Sequence, residues 1–169
     1  MSQVTIRATT MNDRAWVENF MRETWGAAPQ AVRGELFYPH DLPGFIAEAA
    51  DAHPVGIATY RQLDLATCEL ATLNSLQSGL GIGGALIEAV VDAAKALGCT
   101  RLVVVTTNDN LQALRFYQRR GFVFSAVRIG AVNAARRTLK PQIPLLGNDD
   151  IPLRDEIELA LALTRKELP

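Results

Sequence analysis

Val4, Ile6 and Ala8 alternate with polar residues, a period of two that predicts a first strand. Thr10 stands three residues ahead of Asp13, the spacing of a capping box at a helix start. Trp16, Val17, Phe20, Met21 and Thr24 continue one apolar helical face to about Trp25. Residues 26–44 have no clean period and many turn residues, so the expectation there is a long loop with one short helix. Residues 45–49, 55–62 and 67–74 then read as an antiparallel meander, the first two strands joined around "DAHP". Ile82, Leu86, Ala89, Val90, Ala93 and Leu97 keep helical spacing, and Gly98 stops that helix. Residues 100–108 form an almost wholly apolar run, the pattern of a strand buried on both faces. "NDNLQALRFYQRRG" follows as a short helix capped by Asn or Asp, with Arg119 and Arg120 in its last turn and Gly121 ending it. "FVFSAVRI" reads as a strand, residues 131–139 as a helix and residues 153–163 as a final strand. On that last strand Ile157, Leu159, Leu161 and Leu163 share one face, and Glu156 and Glu158 share the other, expected to be solvated or, if it lies near an acceptor, to attract a cationic amine.

This order of elements predicts a mixed α/β (α+β) domain built on one mostly antiparallel sheet of about six to seven strands with flanking helices. Its 169 residues suit a single domain spanning 1–169, with no repeat or linker. Composition narrows the picture. Hydrophobic residues make up 49% of the chain, enough for a core without disulfides or a metal. A net charge of −1 argues against nucleic acid as the main partner. Cys68 and Cys99 have no metal-type spacing and read as small buried apolar residues, so no metal is expected. The N-terminus shows no signal-peptide pattern and no apolar run is long enough for a membrane span, which points to a cytoplasmic protein.

The stretch from Leu76 to Cys99, "LQSGLGIGGALIEAVVDAAKALGC", places glycines at positions 79, 81, 83 and 84 directly ahead of a helix. A strand, a glycine loop and a helix start form a ready anion site, because free backbone N–H groups and the helix dipole both favour phosphate. No acidic residue occurs between Gly79 and Glu88 to oppose an anion. Against this stands a tight turn packed on the sheet, which explains one glycine better than four. Gly79, Gly81 and Gly84 also match the dinucleotide fingerprint G-x-G-x-x-G. That fingerprint calls for an acidic residue ending the next strand. Here the next strand ends "VVVTTN", and the nearest acid, Asp109, falls in a helix cap. A Walker A loop is excluded, since no Gly-Lys-Ser/Thr follows.

A second motif, "NLQALRFYQRRGF", carries Asn110, Ala113, Phe116, Tyr117, Gly121 and Phe122. Together with "SGLGIGGALI" about thirty residues earlier, it strongly resembles the GNAT acetyltransferase superfamily. The family's loop reads Q/R-x-x-G-x-G/A, and its later helix reads N-x-x-A-x-x-F-Y-x-x-x-G-F. Ser78 stands at the Q/R position. The resemblance covers residues 3–128 in element order and implies acetyl-coenzyme A as co-substrate. It implies that Ser78, Gly79, Leu80, Gly81, Ile82, Gly83 and Gly84 hold the pyrophosphate. Backbone near Ala71, Thr72 and Leu73 would pair with the pantetheine arm, and Asn110 and Phe116 would also contact the coenzyme.

The implied activity is N-acetyl transfer to a primary amine by direct attack on the thioester. The alternative is a GNAT-like domain that binds acyl-CoA as a sensor without catalysis. An amine must lose a proton, the tetrahedral oxyanion needs donors, and the leaving thiolate benefits from an acid. Tyr117 matches the family's tyrosine near the coenzyme sulfur and is the expected acid; the competing reading is an aromatic beside Phe116 that caps the core. Some members carry the base on the strand after the glycine-loop helix, but Val105 fills the nearest position here, and Thr106 and Thr107 are poor bases. Glu69, on the strand before the loop among apolar neighbours, is the remaining expected base; the competing reading is a carboxylate paired with an arginine. Strict alternation would put Glu69 on the face of Ala71 and Leu73. His40 and His53 carry no assigned chemistry. The loop 26–44, with Trp25, Arg33, Phe37, Tyr38 and Asp41, is expected to shape the acceptor site. The expected partner is a small-molecule or peptide amine, with neither nucleic acid nor membrane, and a homodimer is left open.

Overall fold

A computed structural model describes residues 4–77 and 79–163. In chain order the elements are β1 (Thr5–Ala8), α1 (Arg14–Trp25), β2 (Gln30–Val32), β3 (Glu35–Phe37), β4 (Gly44–Glu48), β5 (Pro54–Gln62), β6 (Thr67–Ser75) and α2 (Ile82–Ala96). β7 (Arg101–Thr107), α3 (Leu111–Gln118), β8 (Val123–Arg128), α4 (Ala131–Thr138) and β9 (Glu156–Ala162) complete them. The class is the expected one: seven strands of mostly antiparallel sheet with flanking helices, plus a separate two-stranded hairpin of β2 and β3. The chain forms two compact units.

The first unit runs to residue 28 and then takes in residues 38–102 and residue 163. Its strands run β1-β4-β5-β6, each pair antiparallel. A short 3-10 turn, Met11–Asp13, precedes α1, and there the Thr10 N–H donates to Asp13 Oδ2 at 2.7 Å, one half of the expected capping box. Val17, Phe20 and Met21 of α1 pack with Ile46 and Ile57 in a buried cluster, so α1 covers the face of β5 that carries Ile57. The other face of β5 meets α2. A Cβ at Gly56 would come within 2.8 Å of Ile82 Cγ2, so the glycine sets how closely that helix approaches. Cys68 and Cys99 are free and buried, as expected.

The second unit contains residues 29–37 and 103–162. It departs from expectation at two places. The long loop expected over residues 26–44 instead contains the hairpin of β2 and β3, turned through Arg33 and Gly34 with φ of 53° and 76°. Two successive left-handed residues match the right-handed twist of flanking strands. The short helix expected in that stretch is the 3-10 turn Pro39–Asp41, which lies in the first unit. The second departure is the acidic face of β9, which is not solvated: Glu156 is 3% exposed. Both its oxygens accept from the Arg33 N–H at 3.2 Å. Glu158 Oε2 accepts from Arg33 Nη2 and Arg128 Nη2, each at 2.8 Å, and Oε1 accepts from Ser125 Oγ. The hairpin tip supplies the cation that lets this carboxylate face be buried.

Candidate functional site

In the first unit, α2 starts at Ile82 with Gly81 as its N-cap, and Gly79 and Gly81 hold φ of 81° and 75°. A Cβ at either glycine would meet no heavy atom within 4 Å. Packing is therefore not what demands these glycines; the left-handed backbone is. Among the described residues no side chain caps the helix, no acidic residue lies in its first turn, and the first helical bond runs from Ala85 N–H to Gly81 O. The N–H groups of Ile82, Gly83 and Gly84 thus precede the helical ladder. Leu80 is exposed, while the Ile82 side chain is buried, so Ile82 can meet a ligand only through its backbone. Ser78 lies outside the described residues.

β6 leads into this loop with an irregularity at its centre. Thr59 pairs with Thr72 and Tyr60 with Leu70, leaving Ala71 as an extra residue. A bulge reverses the alternation of side chains beyond it. Glu69 pairs with Arg61, which shares a face of β5 with Thr59, so Glu69 lies on the face of Thr72. The expectation that placed it with Leu73 is corrected by that one extra residue. Glu69 is 2% exposed, and its Oε2 accepts from Arg61 Nε at 2.5 Å. Thr59 and Thr72, also buried, share a hydroxyl hydrogen bond of 2.7 Å on the same face. The carboxylate, expected among its apolar neighbours to be part-buried, is almost wholly buried, and it is paired with an arginine as the competing reading held.

Thr59 also lines a cleft of about 380 Å³. Arg14 and Val17 of α1, the turn residues His40 and Asp41, and Thr9 and Thr10 form its other walls. Nearby in sequence, β4 closes tightly on β5: a Cβ on Gly44 would lie 2.4 Å from Ala58 O. Arg14 and Asp41 form an exposed ion pair. Asp13 is clamped by Arg7, whose guanidinium holds that carboxyl down to about 2. The His40 side chain is 7% exposed, and its Nδ1 has no hydrogen-bond partner. Nothing in the residue types around His40 announces this. Its signal is the orphaned nitrogen itself.

In the second unit, Asn110 caps α3 by accepting from Ala113 N–H at 3.1 Å. Tyr117 is 7% exposed, stands edge-on to Phe116 and Phe122, and burial pushes its hydroxyl above the ordinary value against a smaller opposing effect from Arg120. Arg120 stacks over the Phe116 ring at 3.7 Å. Asp109, the acid weighed as a dinucleotide partner, is 4% exposed and accepts from both Asn148 N–H and Nδ2. It serves the local fold. Of the residues expected to shape the acceptor site, Asp41 lines the cleft, Arg33 binds β9 and Phe37 is buried. Trp25 and Tyr38 are exposed. Among the described residues no helix is long and apolar enough to cross a membrane, and no group of His, Cys, Asp or Glu is arranged to hold a metal.

Residues 10–122 match the model of the acetyltransferase (GNAT) family. The chain belongs to the GNAT acetyltransferase family. The match takes in α1, the glycine loop and α3, which carry the motifs described above. A relative by sequence is YdhI of Bacillus subtilis strain 168, an uncharacterised protein 40% identical over 139 residues, covering 82% of this chain and 86% of its own. Among solved GNAT structures, an acetyltransferase from Elizabethkingia anophelis with acetyl-CoA bound shares 19% identity and a TM-score of 0.64, covering 94% of this chain and 97% of its own. The IAA acetyltransferase from Bacillus cereus ATCC 14579 shares 19% identity and a TM-score of 0.70, covering 95% and 99%.

Proposed function

We propose that this chain, read as a single GNAT domain over 1–169, is an acetyl-CoA-dependent N-acetyltransferase acting on a primary amine. The observation that carries the reading is the open glycine turn at the start of α2, directly after the bulged strand β6. Backbone N–H groups from Gly79 to Gly84, together with Ser78, hold the coenzyme pyrophosphate. Ala71, Thr72 and Leu73 pair with the pantetheine arm, and the bulge leaves Ala71 without a regular partner on β5. Asn110 and Phe116 complete the coenzyme contacts.

The reaction is one direct displacement. The acceptor ammonium gives a proton to the Glu69 carboxylate, and the amine nitrogen bonds to the thioester carbon. The carbonyl oxygen gains negative charge, which strand N–H groups stabilise. The C–S bond then breaks, the thiolate takes the proton of the Tyr117 hydroxyl, which burial keeps protonated at neutral pH, and the surplus proton on the nitrogen of the new amide is lost and restores that hydroxyl, so that free thiol, amide and one proton on Glu69 remain. No covalent acyl-enzyme forms.

The pairing of Glu69 with Arg61 favours one second reading, in which the domain binds acyl-CoA without turnover. Calorimetry with acetyl-CoA, followed by an assay of thiol release over a panel of amines, separates the two. Binding with amine-dependent thiol release is the expected result. Binding without release selects the sensor, and tight NAD binding with no acetyl-CoA heat ends both.

A further inference from the structure

The side chain of Asn74 joins the end of α1 to the strand proposed for the coenzyme. Leu76 N–H donates to Val55 O at 2.8 Å, which makes Val55 and Leu76 a hydrogen-bonded pair at the end of the β5–β6 ladder. Bonded and non-bonded pairs alternate along an antiparallel ladder, so Ile57–Asn74 is bonded, and Ala58–Leu73 is not. The other side of β5 agrees. Tyr60 N–H donates to Pro43 O at 3.0 Å, so Tyr60, and with it Ala58 two residues back, turns its backbone groups toward β4. The N–H and C=O of Leu73 therefore turn away from β5, to the side on which a pantetheine arm would pair.

Asn74 reaches that carbonyl. One orientation of its amide satisfies both neighbours: Nδ2 donates to Leu73 O at 3.2 Å, and Oδ1 accepts from Trp25 Nε1 at 3.1 Å. Trp25 is the last residue of α1, and Gly26, with φ of 74°, ends the helix directly after it. The Trp25 side chain is exposed, yet its one N–H has a protein partner on β6. A carbonyl oxygen carries two lone pairs, so an oxygen that accepts from Asn74 can still accept from a ligand.

We infer that Asn74, held by the Trp25 indole, is a positioning residue for the coenzyme: it fixes the direction of the Leu73 carbonyl, which receives an amide N–H of the pantetheine arm. This rests on the acetyl-CoA reading and deepens it. Trp25, expected from its place before the loop 26–44 to shape the acceptor site, serves the donor instead. A carbonyl fixed in advance loses less freedom when the arm binds, which is how a contact outside the ligand raises affinity.

The test compares acetyl-CoA with ADP, which has a pyrophosphate and no arm, by calorimetry. Asn74→Leu, close in shape, removes both hydrogen bonds. It should weaken acetyl-CoA about tenfold, the scale of one hydrogen bond, and leave ADP within about twofold. Trp25→Phe keeps an aromatic ring and removes the N–H. It should weaken acetyl-CoA about threefold alone and add nothing in the Asn74→Leu background, because both variants break one contact. In turnover, the KM of acetyl-CoA should rise while that of the amine stays within about twofold. The Trp25 indole N–H resonance of the wild-type protein should shift with acetyl-CoA and hold still with ADP. Equal weakening of both ligands makes Asn74 a residue of the fold alone. Undiminished acetyl-CoA affinity, or losses that add across the two variants, likewise overturns the positioning role, and each of these leaves acetyl transfer standing. If Asn74→Leu does not fold, Trp25→Phe and the indole resonance decide the matter. A wild-type protein that binds no acetyl-CoA removes the parent reading.

Discussion

Glu158 on β9 and His40 beside α1 are both largely buried ionisable side chains, and their surroundings are opposite. Glu158 accepts from Arg33, Arg128 and Ser125. Burial works against its charge, yet those three donors hold the carboxyl down to about 2. His40 keeps a ring nitrogen with no partner, at the edge of a cleft. A buried charge met by several donors has its electrostatic needs answered inside the fold. A buried nitrogen left unmet costs stability. Glu158 therefore serves the scaffold, whereas the unmet nitrogen of His40 is a cost that no group among the described residues offsets. Glu69 stands between them, buried and paired with Arg61, yet on the strand that the coenzyme would follow.

The comparison predicts that ligand-facing positions change binding or rate, whereas satisfied ones change stability. The largest effect is expected at Gly81. Gly81→Val should weaken acetyl-CoA binding at least ~100-fold, because a branched side chain strains φ of 75° and occupies the open side of the loop. Gly98 is the control. It has φ of 82° and equally open space, so Gly98→Val should lower the melting temperature and leave coenzyme affinity intact. Equal losses of affinity by calorimetry would make the loop an ordinary turn. Tyr117→Phe comes next, with turnover reduced ~100-fold and acetyl-CoA affinity held within a few fold. Unchanged turnover would leave Tyr117 as one more packed ring beside Phe116 and Phe122.

Glu69→Gln tests the intermediate case in two ways. Breaking its pair with Arg61 should cost about 2 kcal/mol in urea unfolding, since a buried charge loses its partner. As the base, it should also take the acidic limb of the pH–rate profile with it. Loss of stability with an unaltered profile would move Glu69 to the scaffold side. The smallest effect belongs to Glu158. Its value of about 2 lies below the ordinary 4.5, so its contribution to stability is complete above pH 4.5 and disappears as pH falls toward 2. Glu158→Gln should make the acid unfolding curve shallower across that window. At neutral pH it should cost about 1 kcal/mol, because the amide oxygen that replaces the carboxylate still accepts from one of the same donors.

Much of this is legible in the sequence. The apolar run of β7 and the 3.6-residue period of α2 name their own burial, and Leu102, Val103, Leu86 and Val90 are buried as that pattern requires. The motif residues Asn110 and Tyr117 lie on the helix where their spacing puts them. The hairpin of β2 and β3 is hidden because three-residue strands are too short to show alternation, and Arg-Gly is not the usual signal for its turn. The glutamates of β9 look solvated in sequence because their cation, Arg33, comes from 123 positions earlier in the chain. His40 is silent for a related reason. Having no partner is a property of three-dimensional surroundings, and no neighbouring residue type encodes it.

The extra residue at Ala71 carries a consequence for how β6 tolerates change. A strand assigns its side chains to faces by parity, and the bulge inserts one count between Leu70 and Thr72. Removing that single residue would leave Glu69 and Thr72 two positions apart, so regular alternation would still hold them on one face. Keeping Ala71 but closing the bulge would separate them, and either the buried Glu69–Arg61 pair or the Thr59–Thr72 contact would then have to turn over. Any substitution at Ala71 leaves the count intact. Loss of Ala71 is therefore a change of length that β6 accommodates with its buried side chains kept on their faces.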